Sequence, residues 1–274
     1  MDVLQEGSLA PGRGRNGMLL TIDVGNTQTV VGVYDGAELR HSWRIATERG
    51  QTADEIRSVL AMLFFADGFD AAQVHGAALA SVVPQLSGAW PRALKRMLGI
   101  DVLVCNAACA GSLFPTSYPN PAEIGADRVA DFIAAKAIYG APAVVVDFGT
   151  ATNIELVDAQ GCFAGGIIAP GVETSANALF ARAARLAGTA LVGPSQPLGQ
   201  STDQAVQSGI VLGEADRVDG LVRRIFQQVG YRAPVVATGG LAGVIAKHSS
   251  EITETNPNLT LEGLRLLFAH CNQA

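Results

Sequence analysis

Two stretches of the chain carry side chains suited to polyphosphate chemistry: Asp23-Val24-Gly25-Asn26-Thr27 and Asp147-Phe148-Gly149-Thr150. In each, an apolar run ends on an aspartate and is followed by glycine and then by hydroxyl or amide residues. Glycine lets backbone N–H groups approach phosphate oxygens, and Thr and Asn donate further hydrogen bonds. The carboxylate can hold a hydrated divalent cation, so Asp23 is a candidate for Mg²⁺ through water. Either stretch alone reads more readily as an ordinary strand-end turn. Two copies with matching flanks indicate duplicated halves that grip a nucleotide triphosphate from both sides of a cleft. No Gly-x-x-x-x-Gly-Lys-[Ser/Thr] loop occurs, so the P-loop fold is not implied.

A third stretch, Gly125-Ala126-Asp127-Arg128, opens a helical pattern after Tyr118-Pro119-Asn120-Pro121. Taken alone, the Asp-Arg pair is a helix cap and a surface ion pair. In a phosphoryl-transfer site, Asp127 would accept the proton of a substrate hydroxyl, and the planar fork of Arg128 would bind the substrate's anionic end. The glycines of Gly165-Gly166 to Pro170-Gly171 and of Thr238-Gly239-Gly240 permit close backbone approach, with turn formation as the plain alternative. Adenosine could lie against Gly239-Gly240. His41, His75, His248 and His270 are scattered and receive no role.

The elements that must position these residues follow from apolar periodicity. Strands are expected at Leu19–Asp23, Thr29–Tyr34 and Glu38–Ile45, then a helix capped by Thr52 and running to Phe64. A strand at Ala77–Pro84, a helix at Trp90–Leu98 and a strand at Asp101–Cys105 complete the first half, with a helix at Val129–Tyr139 leading out of it. The second half repeats the opening with strands at Ala143–Asp147 and Asn153–Val157. It continues with a glycine-rich return over Gly161–Gly171, a helix at Glu173–Leu186, a polar loop at Gly193–Thr202, one long helix at Ala205–Val229 and a strand at Pro234–Thr238. The division expected is a flexible tail over residues 1–17 and domains over 18–140 and 141–274.

Composition narrows the function further. The 274 residues are 49% hydrophobic and 16% charged, which is too apolar for disorder. A net charge of −6 without a basic stripe argues against nucleic acid. No apolar run reaches the roughly 18 residues that span a bilayer. Cys105, Cys109, Cys162 and Cys271 show no C-x-x-C spacing, and reduced cysteines in a cytoplasmic protein are the simpler expectation.

Taken in order, these motifs, together with Ser81-Val82-Val83-Pro84 and Leu259-Thr260-Leu261-Glu262-Gly263-Leu264, resemble the type III pantothenate kinases from about Met18 to the C-terminus. The resemblance implies an α/β fold of two ribonuclease-H-like domains of the actin-like ATPase superfamily, with mixed five-stranded sheets flanked by helices. It implies phosphorylation of pantothenate by Mg-ATP in the first step of coenzyme A synthesis. By the same resemblance, Asp23, Val24, Gly25, Asn26, Thr27, Gln28, Thr29, Val30 and Thr150 would bind ATP, and Asp127 would be the base. Asp147 would ligate a monovalent cation, K⁺ or NH₄⁺. Tyr118, Gly125, Ala126, Asp127, Arg128 and Thr202 would contact pantothenate, with Thr202 reaching across a homodimer. Two departures from the family pattern stand out. Asn153 replaces a Thr, and Asp131 replaces an Asn one helical turn beyond Asp127, where its charge is expected to raise the pKa of Asp127. Other kinases or phosphatases of the superfamily lack the Gly125–Arg128 motif. A catalytically silent regulator would have no need of Asp23, Asp127 and Asp147.

Overall fold

The computed structural model describes residues 17–183, 186 and 188–272. Apart from Gly17, the expected N-terminal tail lies outside the described residues. The first sheet holds β1 (Met18–Val24), β2 (Gln28–Asp35), β3 (Glu38–Ala46), β4 (Val74–Ser81) and β5 (Val102–Val104), in the order β3-β2-β1-β4-β5. Helices α1 (Ala53–Ala66) and α2 (Ala89–Leu98) belong to this half, and α3 (Ala126–Tyr139) follows it. The second sheet holds β6 (Ala143–Phe148), β7 (Ala151–Val157), β8 (Phe163–Pro170), β9 (Val235–Thr238) and β10 (Glu254–Thr255), in the order β10-β9-β6-β7-β8. Its helices are α4 (Val172–Arg182) and α5 (Gly213–Val229), and α6 (Leu259–Cys271) ends the chain.

The second sheet repeats the first strand for strand. β1 pairs antiparallel with β2 and parallel with β4, and β6 pairs antiparallel with β7 and parallel with β9. The duplication expected from the two Asp turns is therefore a duplication of topology.

Strand parity decides which side chains meet. Alternate residues of a strand face opposite sides of the sheet. Leu20, Ile22 and Val24 of β1 turn outward into a core that includes Ile56, Leu60, Trp90 and Leu94 of α1 and α2. Val144, Val146 and Phe148 of β6 turn outward against Val218 and Val222 of α5. Asp23 and Asp147 consequently occupy the inner faces. Between those faces lies the apolar pair α3 and α6, whose core joins Ala78 and Ala80 of the first sheet to Val145, Val157 and Val236 of the second. The C-terminal helix thus returns to the first half, with Leu261 against Leu19 and Tyr34.

Local signals held where chemistry is local. Thr52 caps α1 in a full capping box with Glu55. Three expectations need correction. The glycine-rich return is strand β8, because its ladder with β7 overrides the low strand propensity of glycine. The long helix at 205–229 is a short helix, Thr202–Gln207, then a π-helical turn, Ser208–Leu212, and only then α5. The helix expected to reach Leu186 ends at Arg182.

The crossing of α3 and α6 depends on Gly263, where an added Cβ would stand 1.9 Å from the Ala130 carbonyl oxygen. Gly263→Ala should therefore cost about 1–3 kcal/mol through overpacking and lower the melting temperature by several degrees. A melting temperature equal to that of the parent would show that the helices do not pack this closely.

Candidate active site

A cleft of about 600 Å³ opens between the two sheets, and both phosphate-type turns line it. Its walls include Asp23, Gly25, Asn26, Thr27, Gln28 and Val30 from one half and Asp147, Gly149 and Thr150 from the other. The turns meet across it: the hydroxyls of Thr27 and Thr150 lie 2.8 Å apart in a hydrogen bond. Both turns are tight. The Gly25 N–H donates to the Gln28 carbonyl at 3.0 Å, and the Gly149 N–H donates to that of Ala151 at 3.0 Å. Gly239 borders the second turn at φ +89, and a Cβ there would lie 2.5 Å from Asp147 Oδ1, so only glycine fits beside that carboxylate.

Helix α3 delivers the third motif to the same cleft. Gly125 precedes its first turn, and a Cβ at Gly125 would stand 2.4 Å from Asp127 Oδ1, so the absent side chain makes room for the carboxylate. The Arg128 N–H donates to Asp127 Oδ1 at 2.8 Å and fixes its orientation. Arg128 is held from three sides. Its Nε donates to Glu155 Oε1 in an ion pair, its guanidinium lies 5.5 Å from the centre of the Phe163 ring, and Gly166 leaves space beneath it.

Other residues expected at the site lie elsewhere in this chain. Val24 is in the outer core, Ala126 is buried at the start of α3, and Thr29 is buried with its hydroxyl 2.8 Å from that of Thr47. Tyr118 packs edge-on to Phe163, 6.1 Å between ring centres. Thr202 begins the short helix capped by Ser201. Tyr118 and Thr202 do not line the cleft.

The cleft is a place of desolvated negative charge. Burial pushes the Asp23 carboxyl well above its usual range; Asp127 and Asp147 add to the rise, and Arg44 opposes it. Burial also raises Asp147, to about 7, with Asp127 adding and Arg44 opposing. Asp127 is raised by burial against the opposing backbone N–H and guanidinium of Arg128. Glu155 reaches about 8, because its desolvation outweighs the attraction of Arg128. One of its oxygens, Oε2, is buried without a partner among the described residues.

Asp131 corrects an expectation. It is buried behind the cleft, where its Oδ1 accepts from the Thr260 hydroxyl at 2.7 Å. Burial, with Asp147 and Glu155 adding, raises the Asp131 carboxyl itself, and the rise at Asp127 follows from its own burial rather than from Asp131. Two residues of the site, Arg44 and Glu155, were not foreseen. Both sit on strands opposite recognised residues, Arg44 opposite Val30 and Glu155 opposite Gly166, and that pairing is the only signal for them.

The donor set fits a cation bound together with phosphates. Buried carboxylates face open space, while among the described residues no group of three His, Cys, Asp or Glu side chains could hold a metal by itself. Sites that hold Mg²⁺ through one or two carboxylates, water and phosphate oxygens have this character.

Two mixed five-stranded sheets of repeated topology, with paired turns and an aspartate between them, define a protein of the actin-like ATPase and sugar-kinase fold. Solved structures agree at the level of fold. An activator of 2-hydroxyisocaproyl-CoA dehydratase from Clostridium difficile aligns with a TM-score of 0.56 at 12% identity, covering 94% of this chain and 98% of that one. A conserved Campylobacter jejuni protein described as of the Baf transcriptional activator family aligns at 0.57 and 18% identity, covering 93% and 100%. Within this class, the chain belongs to the type III pantothenate kinase family, whose model matches residues 19–224. A type III pantothenate kinase of Thermomicrobium roseum is 44% identical over 257 residues, covering 94% of this chain and 99% of its own. That of Frankia casuarinae is 46% identical over 256 residues, covering 92% and 98%.

The raised carboxylates make stability depend on pH with a definite sign. A carboxyl whose folded pKa lies above its unfolded value binds more protons when folded, so its contribution is complete below the unfolded pKa and is lost as pH rises through the folded one. For Asp147 that window runs from 3.8 to about 7. Melting curves of the nucleotide-free protein should fall in midpoint across this window, and Asp147→Asn should reduce the slope. A variant whose midpoint falls as steeply as the parent's would show that Asp147 is not desolvated as described.

Proposed function

We propose that this chain transfers the γ-phosphoryl group of Mg-ATP to the primary hydroxyl of pantothenate, giving 4'-phosphopantothenate for coenzyme A synthesis. The observation that carries the mechanism is the placement of Asp127. Its carboxylate lines the cleft between the two phosphate turns, beside an arginine that is already clamped. Asp127 accepts the hydroxyl proton as oxygen attacks phosphorus in line, and its raised pKa makes it a stronger acceptor than an exposed aspartate. Arg128 spends only Nε on Glu155 among the described residues, and its terminal nitrogens suit the carboxylate of pantothenate.

The Asp23–Val30 segment and Thr150 would take the nucleotide's phosphates, and Asp23 would hold a hydrated Mg²⁺ that offsets their charge. Asp147, at the matching position of the second sheet, suits a monovalent cation, K⁺ or NH₄⁺. Such cations, when bound, offset charge on the phosphates and on the surrounding carboxylates. Tyr118 and Thr202 enter the site of a homodimer, with Thr202 supplied by the neighbouring subunit. The four free cysteines fit a reducing, cytoplasmic setting, and no helix among the described residues is long and apolar enough to cross a membrane.

Asp127→Asn tests the assignment because it keeps the shape and removes the base. Turnover of pantothenate should fall by about 10²–10⁴-fold, while ATP binding measured by calorimetry persists. Turnover close to wild type in this variant would rule Asp127 out as the base.

A further inference from the structure

We propose that Arg44 binds the triphosphate of the nucleotide, an inference that deepens the kinase reading above and rests on it. Strand register places it there. Asp23 of β1 lies opposite Val30 of β2, and Val30 lies opposite Arg44 of β3. Residues opposite one another on adjacent strands share a face of the sheet. Asp23, Val30 and Arg44 therefore form one rung on the inner face, and all three line the cleft.

The second sheet supplies an internal comparison. Its equivalent rung runs from Asp147 through Asn153 to Ile168, and these residues also line the cleft. Where the first rung ends on a guanidinium, the second ends on an exposed isoleucine, 65% accessible. The duplicated frame thus carries its cation on the side of the Asp23 turn.

Charge makes that cation necessary. Among the described residues, Arg44 and Arg128 are the cationic side chains lining the cleft, and Arg128 is engaged with Glu155. The side chain of Arg44 is held by a neutral acceptor, Gln28 Oε1, to which its Nη1 donates at 2.8 Å. Its positive charge is not neutralised by that bond. Gln28 belongs to the turn that follows Asp23, so the guanidinium is anchored beside the phosphate turn with nitrogens to spare for phosphate oxygens. Arg44 also acts on both halves of the site, since its charge opposes the rise of Asp23 and of Asp147 alike.

The simpler alternative is a solvated arginine on an edge strand, and Arg44→Met separates the two, since the side chain is exposed and its loss leaves the core intact. Calorimetric titration of Mg-ATP and steady-state kinetics would be run on wild type and variant. Arg44→Met should weaken Mg-ATP binding by about tenfold or more, the scale of one charge-assisted phosphate contact. The KM for pantothenate at saturating ATP should stay within about twofold of wild type. Unchanged Mg-ATP affinity overturns the inference, and so does an equal loss of affinity for both substrates. If wild type binds Mg-ATP but does not phosphorylate pantothenate, while Arg44→Met loses nucleotide affinity, the substrate assignment falls and the role of Arg44 stands.

Discussion

Desolvated negative charge is the constraint around which this molecule is arranged. Two strands from different sheets carry, as their penultimate residues, aspartates that point inward, toward a helix carrying Asp127 and Asp131, with Glu155 close by. Carboxylates gathered away from water repel one another and resist ionisation. The arrangement persists because each has a specific relief. Asp131 accepts from the Thr260 hydroxyl, Glu155 holds Arg128, and Asp127 takes a backbone N–H. At Asp23 and Asp147 the positive charge of Arg44 opposes the rise. The same crowding of carboxylates makes the cleft receptive to a magnesium-bound nucleotide.

Duplication builds the cleft, and departure from duplication gives it direction. The sheets share strand order, pairing sense and an aspartate one residue before the end of the central strand. Their rungs differ in charge, with Val30 and Arg44 on one side and Asn153 and Ile168 on the other. Helix α3 breaks the symmetry further, since a single copy of Asp127 and Arg128 serves the cleft. A symmetric frame thus carries an asymmetric cleft.

Energetics differ between the floor and the mouth of the cleft. At the floor, α3 and α6 join both sheets in one apolar core, where each fully buried Leu or Ile is worth about 1.5–3 kcal/mol. At the mouth, the turns are joined by the exposed bond between Thr27 and Thr150, and such a bond contributes about 0.5–1.5 kcal/mol net.

The sequence by itself determined the features whose causes are local. Apolar runs ending on Asp23 and Asp147, the Thr52 cap, the glycines of both turns and the order of motifs were legible because strand parity, capping and turn chemistry act over a few residues. Only the tertiary structure decided the rest. Gly165 and Gly166 became strand because β7 offered a ladder, and the C-terminal helix joined the first half because Gly263 admits Ala130. The Asp131 carboxyl is raised because burial takes it out of water. Arg44 and Glu155 reached the site through partners far along the chain, Glu155 meeting Arg128 across 27 positions. Register and burial are properties of paired segments, and no single segment states them.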